Sequence, residues 1–336
     1  MNGGKRTAIR FAGLGLAALL LFVADVLAGD SALSPGEVWG VFAGRETDET
    51  VRNIVLSIRL VRGVVAVLIG MALSVSGLQM QTVFRNPLAD PYLLGVSSGA
   101  GLGVAFFILG APLLGLGYSP FWQSIGIVGA GWVGAVAVLL LVAVISRYVK
   151  NILGVLIMGV MIGYIAGAVI QILQYLSSAE QLKMFYLWSM GSLGHVTSVK
   201  LWIMWPMVAL GLLLAVYCMK PLNLLLLGEQ YARTMGIDVR RARTLIFVST
   251  TLLTGTVTAF CGPVGFLGLA VPHVARMFFH NADHRVLLPG SMLLGIVAML
   301  VCDIIAKTWV LPINSITALL GIPVIVWVVY KNLRFS

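Results

Sequence analysis

The chain has 336 residues, of which 60% are hydrophobic and 10% charged, with a mean hydropathy of +1.01. A soluble domain needs about 25% charged residues to solvate its surface; 22 Lys and Arg with 12 Asp and Glu cannot do so here, which excludes a soluble enzyme. The net charge of +10 then reads as the Lys/Arg excess of cytoplasmic loops, with lipid rather than nucleic acid as the surrounding partner.

Long unbroken apolar runs, unlike the short alternating segments of a transmembrane barrel, indicate an all-α integral membrane protein. At about 20 apolar residues per span, the pattern predicts about ten transmembrane helices. The first follows Lys5, Arg6 and Arg10 and covers Phe11 to Ala28. Val26–Ala28 could pass for a signal-peptide cleavage site, but the apolar core is long for a signal sequence, and a retained span is expected. A polar stretch from Asp30 to Ser57 carries Arg45, Glu46, Asp48, Glu49 and Arg52. The second span is expected from about Leu60 to Met80, ending at the loop Arg85 to Pro91. Further spans begin near Tyr92, Gln123, Ile152, Leu201, Leu245, Gly265, Val286 and Ile313.

With the amino terminus inside, the cytoplasmic face receives fifteen of the Lys and Arg residues: Lys5, Arg6, Arg10, Arg85, Arg147, Lys150, Lys220, Arg233, Arg240, Arg241, Arg243, Arg276, Arg285, Lys331 and Arg334. The outer face receives seven, namely Arg45, Arg52, Arg59, Arg62, Lys183, Lys200 and Lys307. This bias places both termini in the cytoplasm. Nothing separates soluble units, so residues 1–336 form a single transmembrane domain whose longest internal cytoplasmic loop is 220–243.

Glycine recurs at four-residue spacing in Gly95, Gly99, Gly103 and again in Gly159, Gly163, Gly167, the pattern by which helix backbones approach closely in lipid. The Pro- and Gly-broken segment Gly262–Arg276 is read either as kinked packing or as irregular backbone lining a cavity.

Several chemistries are set aside. Cys218, Cys261 and Cys302 lie far apart in apolar runs, and His195, His273, His280 and His284 lack zinc spacing, so no metal site is expected. Gly95 to Gly99 matches G-x-S-x-G, but it opens an apolar helix and lacks the strand-turn-helix context of a nucleophile. No catalytic residue is assigned, and no P-loop occurs; if ATP drives this protein, another subunit brings it. Asp25 and Asp303 are the intramembrane acids that could mark ion coupling. Both sit near outer span ends, where a basic neighbour such as Lys307 for Asp303 offers an interfacial reading, and a proton-driven carrier is disfavoured.

Three segments carry the functional signal: GLQMQTVFRNPLADPYLLGVSSGAG at 77–101, LLGEQYARTMG at 226–236 and GPVGFLGLAVPHVAR at 262–276. Together they resemble the FecCD-type permease family, membrane subunits of bacterial ATP-driven importers for iron-siderophores, haem and cobalamin. The resemblance implies a homodimer of ten-helix subunits in the inner membrane, two cytoplasmic ATPase subunits holding ATP and Mg, and a periplasmic substrate-binding protein, with no cofactor in this chain. An iron(III)-siderophore is the expected cargo, with cobalamin or haem as the alternative; an ATP-independent carrier or channel belongs to a different class.

By resemblance, Gly228, Glu229, Ala232, Arg233 and Gly236 form the element that couples to the ATPase, and helical spacing would put Glu229, Ala232 and Gly236 together. Arg59 and Arg62, three apart on one helix face, with Lys307 as a weaker third, would receive acidic side chains of the binding protein; interfacial snorkelling is the plainer reading. Lys307 departs from the family, which more often has arginine and a longer connection before Leu311-Pro312. Asn86 and Leu88 would form a cytoplasmic gate, and Asn151, Ile152 and Leu153 a second gate element in which small hydroxyl residues are replaced by bulky apolar ones. His195 is read as interfacial. Met158, Met161, Gln171 and Gln174 share the fifth span, either along the path or as packing residues.

Overall fold

The computed structural model describes residues 3–29, 33–45, 48–113, 115, 120–149 and 152–335; Glu46, Lys150 and the gate candidate Asn151 lie outside the described residues. The helices are α1 (Gly3–Leu27), α2 (Pro35–Phe42), α3 (Glu49–Val83), α4 (Val96–Leu113), α5 (Pro120–Tyr148), α6 (Ile152–Leu176) and α7 (Ala179–Ser189). They continue with α8 (Ser198–Tyr217), α9 (Met219–Leu226), α10 (Glu229–Thr234), α11 (Val239–Cys261), α12 (Leu267–Phe279), α13 (His284–Trp309) and α14 (Ile313–Phe335). Eight of them are long and apolar enough to span a bilayer, and α12 and α14 contribute two shorter apolar helices, which accounts for the ten expected segments.

Two elements depart from expectation. The polar stretch after α1 contains α2, started by a capping box in which Ser34 Oγ accepts from Glu37 N and Glu37 Oε2 accepts from Ser34 N. The second span begins at Glu49 rather than near Leu60, because Asp48 accepts from Thr50 N at 3.0 Å and caps the new helix end. A π-helical turn at Ile54–Arg59 lies within α3.

Helix α11 sits at the centre. It is the most buried of the long helices although it carries buried Ser249, Thr250, Thr254, Thr256 and Thr258. Protein rather than lipid surrounds it, and several of its hydroxyls find partners: Thr258 Oγ1 donates to Thr254 O at 2.9 Å, and Ser249 Oγ to Gly211 O at 2.8 Å, while the buried Thr251 and Thr254 hydroxyls have none among the described residues. Gln79 of α3 joins them, its Nε2 donating to Ser249 Oγ at 3.0 Å.

The glycines act by close approach. A Cβ on Gly77 would stand 1.9 Å from Gly268 O, and one on Gly295 would stand 2.1 Å from Gly70 O, so α3 touches α12 and α13 backbone to backbone. In the first ladder Gly103 meets Ala130 O and Gly99 meets Gly134, fixing α4 against α5. In the second, Gly159 meets Leu93 and Leu94 and Gly163 meets Ser98, while Gly167 faces open space. The chain ends converge: Arg10 lies over the Phe278 ring at 5.6 Å, and Val328 of α14 lines the same end of the bundle as Arg276.

Candidate translocation site

Helix α3 joins the two ends of the candidate path. Arg62 and Gln81 on it are separated by nineteen residues, about 29 Å of helix, and each lines a different cavity.

At the outer end, α1, α3 and α13 meet in a buried ion cluster. Lys307 Nζ lies 2.7 Å from Asp25 Oδ2 and 3.0 Å from Asp303 Oδ2, and Arg62 Nη2 lies 2.9 Å from Asp303 Oδ1. Arg59 Nη1 donates to Leu27 O at 2.9 Å, closing the carboxyl end of α1. Burying charge is tolerable only when it is paired and hydrogen-bonded, and both intramembrane acids are spent on such pairs. The expected pairing of Asp303 with Lys307 is present, and Asp25, distant in sequence, joins it. The docking assignment needs correction: Arg59 and Lys307 are each only 4% exposed, their charges turned inward. Arg62, on the cavity wall, is the one of the three that is partly exposed.

The outer cavity has a volume of about 780 Å³ and is walled by α5, α7, the 190–197 loop, and the ends of α11 and α13. His195 lies on its rim beside Lys200; burial and the Lys200 charge lower its pKa, so the ring is neutral at physiological pH.

At the inner end, a cavity of about 460 Å³ is lined by Gln81, Arg85, Pro87, His273 and Arg276, among others. Gly262–Arg276 thus does border a cavity, through its second half on α12. Arg276 Nη1 donates to Gln81 Oε1 at 2.6 Å, and His273 Nε2 donates to Pro87 O at 2.8 Å, a carbonyl being able only to accept. The first bond ties α12 to the end of α3, and the second holds the loop Arg85–Asp90 against α12. Within it Asn86 Oδ1 accepts from Leu88 N at 2.9 Å, and Leu88 is 44% exposed. Asp90 caps the turn Pro91–Leu94 by accepting from Tyr92 N at 2.7 Å; burial pushes its carboxyl up to about 6 against that bond.

Beside this loop a polar relay runs inward to the coupling segment. Thr82 Oγ1 lies 2.9 Å from His284 Nε2, and His284 Nδ1 lies 2.7 Å from Asn223 Oδ1. An amide oxygen only accepts, so Nδ1 donates, and Nε2 faces the Thr82 hydroxyl, which also donates to Leu78 O at 2.8 Å. Asn223 Nδ2 then donates to Asp283 Oδ1 at 2.6 Å. The backbone N–H of Arg285 and the Asn223 amide hold the Asp283 carboxyl below its usual range. The relay ties α9 to α13 and to the gate end of α3.

The coupling residues do not share one helix face. Glu229 opens α10 and pairs with Arg243 of α11; Ala232 is 0% exposed, committed to the chain's own core; and Gly236 stands past the end of α10 in a turn at φ +80°. Gly228, at φ +113°, occupies a backbone conformation that a side chain would strain. Gln230, Tyr231, Arg233, Thr234 and Met235 carry the exposed side chains here. Leu153 is exposed and Ile152 half-buried at the start of α6. On that helix Met158, Met161 and Gln171 are exposed on the protomer and Gln174 is half-buried.

The FecCD transport family matches residues 17–331, nearly the whole chain. The chain belongs to that family. It is 38% identical to the hemin transport system permease protein HmuU of Yersinia pestis, over 99% of this chain and 98% of that one. It is 36% identical to the vitamin B12 import system permease protein BtuC of Citrobacter koseri, over 94% and 92%. A solved metal-chelate type ABC transporter in an inward-facing conformation superposes with a TM-score of 0.83 at 29% identity, covering 96% of this chain and 98% of that one. PsaBC from Streptococcus pneumoniae, at a TM-score of 0.51 and 18% identity over 85% and 93%, shares the fold alone. The chain is thus an ABC importer permease, multi-pass in the bacterial inner membrane, of a class implying ATPase and substrate-binding partners.

Sequence reading missed the relay and the Asp25–Lys307 pair. A lone Asn223 inside the apolar helix MKPLNLLL was the visible signal for the former; the latter joins residues 282 apart and left none.

Proposed function

We propose that this permease moves a bulky metal chelate inward by alternating access, as a homodimer driven by two cytoplasmic ATPase subunits that hold ATP and Mg, and loaded by a periplasmic binding protein. The observation that carries the reading is the cavity at each end of α3, with the Gly77–Gly268 backbone contact between them. Ferric siderophores, haem and cobalamin are all accommodated as cargo; the similarity to the hemin and vitamin B12 permeases supports the latter two. No bond of the cargo breaks in this chain, which carries no cofactor of its own.

In this reading the whole chain is one transmembrane domain with 220–243 as its coupling loop. Exposed Arg233, Tyr231 and Met235 meet the ATPase, while Gly228, Glu229, Ala232 and Gly236 shape the element that presents them. Asn86 and Leu88 close the inner end with Ile152 and Leu153, an apolar ring that shuts by dewetting. Asn151 belongs to the same gate by resemblance. Arg62 is the docking cation, its position fixed from behind by Asp303; such a charge sets register more than affinity. Helix α6 faces the path between protomers.

The reading is tested by co-purification. Tagged permease should retain its ATPase subunits, and Glu229→Arg, which breaks the pair with Arg243 and reverses the charge of α10, should release them. Retention by Glu229→Arg and by a deletion of 231–238 would overturn the coupling assignment.

A further inference from the structure

The outer cavity is uneven in its chemistry. The ionisable side chains on its wall, Arg62, His195, Lys200 and Lys307, are all bases, and no carboxylate lines it among the described residues. Arg62 and Lys307 are compensated from behind by Asp303 and Asp25. Lys200 is not: its Nζ donates to His195 O at 3.1 Å and forms no ion pair among the described residues. Trp188, on the same wall, has a buried indole N–H without an acceptor there. The site therefore holds a spare donor at Trp188 and a positive charge at Lys200 that no carboxylate on the wall meets, with the Ser192 and Thr197 hydroxyls as its other polar side chains. The remaining wall is apolar and aromatic, with Trp188 and Phe260 as its rings and Met184, Leu187 and Val310 between them. Phe185 packs tilted against Trp188, at 5.9 Å between centroids and 34° between planes. A second cavity of about 290 Å³, apolar throughout except at Lys200, adjoins across Val128 and Phe260.

We propose that this cavity receives a chelate with a broad apolar body and at least one anionic group at its edge, and that Lys200 is the residue that takes the anion. The physics is that of a charge-assisted hydrogen bond made at a partly dry wall, about twice as strong as a neutral one, while the rings cover the apolar body. A carboxylate-bearing metal macrocycle satisfies both demands; a chelate with amide edges leaves Lys200 unpaired. The inference rests on the chelate-importer reading and narrows its substrate class. An anionic lipid headgroup offers Lys200 the same chemistry, so the test separates the two sources.

The complete permease–ATPase complex is placed in phosphatidylcholine nanodiscs and titrated with hemin and with its neutral dimethyl ester. Wild type should bind hemin about tenfold more tightly than the ester. Lys200→Met should erase that preference without weakening the ester, and Lys200→Arg should restore it. Equal affinities in wild type, or an equal loss for both probes in Lys200→Met, would overturn the proposal. So would a Lys200→Met effect confined to nanodiscs doped with phosphatidylglycerol and read as lost lipid binding, which would assign Lys200 to the headgroup. ATP-driven uptake by proteoliposomes holding the same complex, with its binding protein present, keeps the readings apart: uptake with equal hemin and ester binding sinks only this inference, whereas no uptake of any chelate sinks the importer reading beneath it.

Discussion

The outer and inner ends of the bundle are closed by different kinds of bond. At the outer end Asp25, Arg62, Asp303 and Lys307 join α1, α3 and α13 through buried charge pairs. At the inner end Thr82, His284 and Asn223 join α3 to α13 and α9, and His273 joins the gate loop to α12 through the Pro87 carbonyl, by hydrogen bonds rather than ion pairs, beside the Arg276 bond to Gln81. Separating a buried pair strands a charge at about 3–5 kcal/mol, whereas exchanging a neutral hydrogen bond costs about 1 kcal/mol. The outer helices are therefore built to move as one body, and the inner contacts are built to be remade. That asymmetry suits a permease in which work arrives at the cytoplasmic face.

The largest effect should follow from removing one outer cation. Lys307→Met leaves Asp25 without its cation and should cost about 3–5 kcal/mol, read as a fall in thermal midpoint of the purified permease; an unchanged midpoint would dissolve the claimed rigidity. His284→Ala should cost less, about 1–3 kcal/mol for the polar groups it strands. Its distinguishing sign is ATPase activity that no longer responds to the loaded binding protein. If His284→Ala proved as destabilising as Lys307→Met, the two ends would not differ as argued.

Asp90 sharpens the contrast through pH. Its folded carboxyl titrates at about 6 because it is buried, above the ordinary value of about 4. Stability from the protonated form is therefore complete below the ordinary range and is lost as pH rises through about 6. Asp90→Asn keeps an oxygen for Tyr92 N and should melt higher than wild type above that pH, with the gap closing on acidification. A constant gap at every pH would reject the burial account. The smallest stability effect belongs to Leu88→Ala, within about 0.5 kcal/mol for so exposed a residue, yet basal leak of chelate from liposomes should rise; unchanged leak would remove Leu88 from the gate.

Much of the fold was legible because lipid imposes it. Ten apolar runs and the family motifs follow from local pattern, and most helices begin within a few residues of expectation; the exceptions are α1, which starts at Gly3, and the helices whose starts are set by caps at Ser34, Asp48 and Asp238. What the pattern could not supply was pairing across distance. Arg59 and Lys307 read as outward cations because Leu27 and Asp25, the groups that turn them inward, lie far away in the chain. Gly236 read as part of a helix face because spacing alone does not register that α10 stops at Thr234. Lys200 and His195 drew little notice singly, and only the cavity brings them together.

The central claim is that this permease transmits work it does not generate. Proteoliposomes are prepared with the permease alone and with its ATPase partner and binding protein, and chelate accumulation is followed with and without ATP. The account predicts uphill accumulation only in the complete system with ATP. Accumulation against a gradient by vesicles holding this chain alone would contradict it.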